Sequence, residues 1–129
     1  MLSDEVQESF DVAVDMFKLY QKDLNQYQNK KRDSFYMETQ LYIYKTLLSL
    51  SLIEGNESTN MKKFANNHKT KGFKALKEYV DGLPEGHLSK SYISGINGLS
   101  DITLNAALQG TFQIVSLMNV SLVNLKEGG

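Results

Sequence analysis

The chain has 129 residues, with 14 Lys and Arg against 15 Asp and Glu, no cysteine and no tryptophan. That length supports one domain, 1–129, with a real core and no staples. The absence of cysteine excludes disulfides, thiolate metal sites and a thiol nucleophile. A net charge of −1 gives no global field toward nucleic acid or anionic membrane. The first residues, MLSDEVQESF, hold neither a basic nor an apolar leader segment, so the expected residence is cytoplasmic.

A single proline, Pro84, and glycines that fall mostly in the second half point to long helices. The first runs from residue 4 to about 28. Ser3 can cap it, and Asp4, Glu5 and Glu8 suit its positive end. Val6, Phe10, Ala13, Phe17, Tyr20, Leu24 and Tyr27 alternate by four and three, and Val12, Met16 and Leu19 widen that stripe. So broad an apolar face fits a helix touching two neighbours in a bundle better than a two-stranded coiled coil.

Asn29, Lys30, Lys31 and Arg32 place cations at the negative end of this helix, and Asp33 or Ser34 can cap the next. A turn is expected here, although no Gly or Pro enforces it and one continuous helix to residue 52 is the rival. The second helix, 35–53, carries Met37, Leu41, Tyr44, Leu48 and Leu52 on one face and Tyr36, Ile43, Leu47 and Leu50 on the next. It should be largely enclosed. Residues 54–60, EGNESTN, read as a loop.

A third helix is expected over about 60–80, with Met61, Phe64, Ala65, Phe73, Leu76, Tyr79 and Val80, bent or broken at Gly72, which costs about 1 kcal/mol relative to Ala in a helix. Asp81 to Gly86 is the clearest loop. A weak helix follows over 88–96, ended by Gly95 and Gly98, and Ser100 caps a last helix over 101–125. The expectation is an all-α bundle of four to five helices with an uncharged, largely buried C-terminal helix.

That last helix is the feature that bears on function. Residues 102–125 contain no ionisable side chain. At roughly 100° per residue, Asn105, Gln109, Gln113, Ser116, Asn119 and Asn124 share one arc, and Leu, Ile, Val and Met fill the remainder. Each amide buried without a partner costs roughly 1–3 kcal/mol. A membrane span of this length is therefore disfavoured, because a lone helix in lipid satisfies none of them; pore formation after oligomerisation is the weakest alternative. The favoured reading is a non-enzymatic interaction protein (an assembly subunit, adaptor, or inhibitor or immunity-type protein) that self-associates or docks on another protein. The expected contact residues are Asn105, Gln109, Phe112, Gln113, Ser116, Leu117 and Asn119.

The alternative is a nucleic-acid-associated protein using Lys62, Lys63, Lys69, Lys71, Lys74 and Lys77, each phosphate contact adding salt-dependent affinity. Against it, these lysines do not form a sharp stripe, and Arg32 is the only arginine, the preferred base reader. No catalytic, cofactor or metal site is expected. His68 lacks an acid three or four residues away, His87 sits in a loop, and no Glu-x-x-His pair or phosphate-cradling glycine loop occurs. The tyrosines read as core-edge residues, with Tyr42 the one expected to be exposed.

Overall fold

The computed structural model describes residues 4–28, 34–54 and 72–128, with side chains for 4–28, 34–50 and 72–118. Among the described residues the chain forms five helices and no strand: α1 (Asp4–Tyr27), α2 (Ser34–Glu54), α3 (Phe73–Asp81), α4 (Leu88–Ser94) and α5 (Asp101–Gly128). The all-α bundle expected from the sequence is the fold.

α1 and α2 are antiparallel neighbours. Phe17 stacks on Tyr44 with ring centroids 4.3 Å apart and planes 11° apart, and the Gln21 amide donates to Gln40 Oε1 at 2.8 Å and to the Met37 carbonyl at 3.0 Å. Those pairings require the chain to reverse between the helices, which removes the continuous-helix alternative. Residues 29–33 lie outside the described residues.

α5 runs parallel to α2. Tyr36 donates to the Ala106 carbonyl at 3.1 Å, and Thr111 Oγ1 lies 3.5 Å from the Gln40 carbonyl. Farther along, Tyr44 and Leu48 pack with Ile114, Val115 and Met118. At Gly110 two side chains of α2 lie close against the α5 backbone. A Cβ there would strike the Gln40 amide and approach Tyr36 Oη at 3.4 Å, so only glycine permits this seating.

Among the described residues two clusters make the core, and α2 and α5 contribute to both. One joins Phe10, Val14 and Phe17 of α1 to Tyr44, Leu48, Ile114, Val115 and Met118. The other joins Ile43, Leu47 and Leu50 to Phe73, Leu76 and Val80 of α3, to Ile93 and Ile96 at α4, and to Leu104, Ala107 and Leu108. Among the described residues seven polar side chains are buried, and each has a partner. Besides Gln21 and Gln40, the hydroxyls of Thr39, Thr46, Ser49 and Thr111 donate to carbonyls three or four residues back, and Ser89 meets His87. Satisfied in this way, they avoid the desolvation penalty of an orphaned group.

Helix ends follow local chemistry, with one departure. Ser100 Oγ accepts from the Thr103 backbone N–H at 3.2 Å, the cap expected for α5. Gly72 does not sit within a helix; it precedes α3 with φ 65° and ψ −147°, values no helix interior adopts. The third helix thus begins at Phe73, and the earlier part of the expected 60–80 segment lies outside the described residues. The cap for α3 comes from afar: Asn105 Oδ1, on α5, accepts from the Phe73 N–H at 2.8 Å.

Two further expectations change. Tyr42 is half-buried rather than exposed, packed near Gly95 and under Lys45 Nζ, 5.8 Å from its ring centre. α1 does touch two neighbours, α2 and α5, but it does so through Phe10, Val14, Phe17 and Gln21. Val12 and Leu19 stay 54% and 63% exposed.

Candidate interaction site

α5 is amphipathic over its described side chains. Leu104, Ala107, Leu108, Thr111, Ile114, Val115 and Met118 face the core, while Asn105, Ala106, Gln109, Gln113, Ser116 and Leu117 are exposed. The exposed side meets the start of α2 in an open groove of about 540 Å³, lined by Tyr36, Ala106, Gln109, Gly110, Phe112, Gln113 and Ser116. Not one of these carries a charge.

Four residues expected from the sequence, Gln109, Phe112, Gln113 and Ser116, converge on this groove. Leu117 stands beside it on the same helix, 40% exposed. Asn105 is exposed as well, but its carbonyl oxygen is committed to the α3 cap. The side chain of Asn119 lies outside the described residues, as does that of Asn124.

Sequence reasoning missed two members. Tyr36 reads from the sequence as part of an enclosed face of the second helix; it is half-buried, holds the Ala106 carbonyl and walls the groove. Gly110 is the second; a lone glycine inside a helical pattern costs about 1 kcal/mol relative to Ala and so points to a packing reason. It lines the groove, and the Gln40 amide holds the place that a side chain would take there.

Of the lysines considered for nucleic acid, Lys74 is exposed and Lys77 half-buried; Lys62, Lys63, Lys69 and Lys71 lie outside the described residues. No group of His, Asp and Glu able to hold a metal ion occurs among the described residues. A Ser–His contact does occur, with Ser89 Oγ 2.7 Å from His87 Nδ1. That nitrogen also accepts the Ser89 N–H at 3.2 Å, so His87 is the N-cap of α4 and carries its ring proton on Nε2. Ser89 is fully buried, and the contact serves the cap. His68 lies outside the described residues.

Tyr92 is the one group with a clear shift of ionisation among the described residues. Burial of its ring, then the nearby charge of Asp11, raise its hydroxyl above the ordinary tyrosine value. The ring stacks on Phe10 at 6.0 Å with Lys45 Nζ 5.9 Å from its centre. Among the described residues no helix is long and apolar enough to cross a membrane. Compared with protein-family models, curated proteins and solved structures, the chain finds no match.

Proposed function

We propose that this protein is a non-enzymatic helical interaction module that associates with a second copy of itself through the uncharged groove of α5 and Tyr36. The observation that carries the reading is the convergence of Gln109, Phe112, Gln113 and Ser116 on one open groove with no charged lining residue. Amides and hydroxyls both donate and accept hydrogen bonds. A surface built from them is complementary to itself, whereas a charged partner would bring ions that this groove cannot neutralise.

A two-fold arrangement follows from that chemistry. In such an interface each copy offers the same patch, so residue i of one meets j of the other and the reverse. Leu117, exposed next to the groove, is the apolar knob; the groove beside Phe112 is its receptor. The amide pairs then fix register, as polar residues do at the seam of a coiled coil. An assembly subunit or adaptor built on this face would present its remaining surfaces in duplicate.

Light scattering and sedimentation on purified protein test the reading. The wild type should be a concentration-dependent dimer, and Leu117→Glu, which places two like charges in the interface, should be monomeric with unchanged helical content. A wild-type chain that stays monomeric at every attainable concentration overturns the proposal, as does a dimer indifferent to Leu117→Glu.

A further inference from the structure

The outer face of α1 is a second apolar surface, and it is unlike the first. With its inner face occupied by Phe10, Val14, Phe17 and Gln21, the helix still leaves Val12 and Leu19 more than half exposed. An open groove of about 500 Å³ runs there, lined by Glu5, Glu8, Ser9, Val12, Ala13 and Met16. At roughly 100° per residue, Glu5, Glu8, Val12, Met16, Leu19 and Asp23 fall within about 40° of one line, with Asp15 just beside it. Lys22 and Lys18, the lysines of this helix, lie about 80° and 120° round.

The face is thus an apolar strip bracketed by acids of one sign. Among the described residues the one ion pair is Lys90 with Glu85, far along the chain from these acids. Such a strip repels phosphate and anionic lipid. It also repels itself: laid against a second copy in either direction, Glu5, Glu8 and Asp23 meet like charges, which costs rather than contributes affinity. The complementary occupant is cationic and apolar at once. It is also helical, because the strip offers one residue per turn along about 27 Å, the length of a partner helix with the same rise.

We infer that the outer face of α1 binds a basic amphipathic helix of a partner protein, whose apolar side covers Val12, Met16 and Leu19 and whose lysines or arginines meet Glu5, Glu8, Asp15 and Asp23. The apolar strip supplies affinity, as in other helix-on-groove contacts. The acids, solvated at the rim, set orientation and speed of encounter more than strength.

The test is an NMR titration of the isotope-labelled full chain with two synthetic amphipathic helical peptides, one of leucine and lysine, the other of leucine and glutamate. The lysine peptide should bind and shift the amides of Glu5, Glu8, Val12, Met16, Leu19 and Asp23. Leu19→Ser, at an exposed position, should weaken it about tenfold or more, the scale of losing one anchoring side chain. Glu5→Lys with Glu8→Lys should turn the preference toward the glutamate peptide. No binding of the lysine peptide, shifts centred elsewhere, or affinity indifferent to Leu19→Ser would each overturn the inference. So would a change of oligomeric state on Leu19→Ser, since a second copy would then cover this face.

Discussion

The groove of α5 and the outer face of α1 are similar in size, about 540 and 500 Å³, and each leaves large apolar side chains in water. They differ in charge. Groups that both donate and accept line the first, and Glu5 and Glu8 stand in the second. Apolar area alone therefore does not say what a face meets. The sign of its rim does: a neutral, amphoteric surface tolerates its own image, and a surface of one sign demands the opposite.

Three substitutions bear on that contrast, taken from the largest expected effect to the smallest. Phe17, fully buried against Tyr44, lies in the core behind both faces, so Phe17→Ala should lower stability by about 3–5 kcal/mol in urea unfolding and weaken both binding activities together. If either survives undiminished in the same sample, that face does not depend on the shared core. Gly110→Val strikes the Gln40 amide and crowds Tyr36, which walls the α5 groove, with an expected cost of about 1–3 kcal/mol. Dimerisation should vanish while the lysine peptide still binds α1; joint loss would mean the two faces are coupled.

The smallest effect concerns Tyr92, where the acidity of α1 reaches inward through Asp11. Its raised ionisation means the folded state favours the neutral ring. The associated stability is present below the ordinary tyrosine value near 10 and is lost as pH rises through the folded value. Tyr92→Phe should therefore flatten the decline of thermal stability at alkaline pH, and an unchanged decline would assign it to other groups.

Most of the architecture was legible in the sequence. The 4/3 spacing of Phe10, Ala13, Phe17, Tyr20 and Leu24, the loop expected over Asp81–Gly86 and the Ser100 cap are local signals, set by helix geometry and turn chemistry; each appears where expected, save that the helix keeps Asp81. The uncharged arc of α5 was equally plain, and four of its expected contact residues share one groove. What was hidden depends on distant pairs. A helical wheel gives the arc of Val12 and Leu19 but not whether a neighbour fills it. It places Tyr36 on an apolar face but not beside Ala106, seventy residues on. The same holds for Asn105, which read as a surface amide and serves as the cap of α3.

The parallel seating of α2 and α5 bears on the order in which the molecule is assembled. Tyr36 meets Ala106, and between them lie α3 and α4, so this contact closes a long loop, whereas α1 and α2 meet across a short turn. Loop-closure entropy and the slower rates of topologies rich in distant contacts put the α1–α2 hairpin early and α5 last. Until α5 arrives, Leu48 is covered from the α1 side alone, and the first turn of α3 has no Asn105 to hold its leading N–H. The C-terminal helix is therefore expected to dock last, and the neutral face proposed for self-recognition would be assembled only at that step.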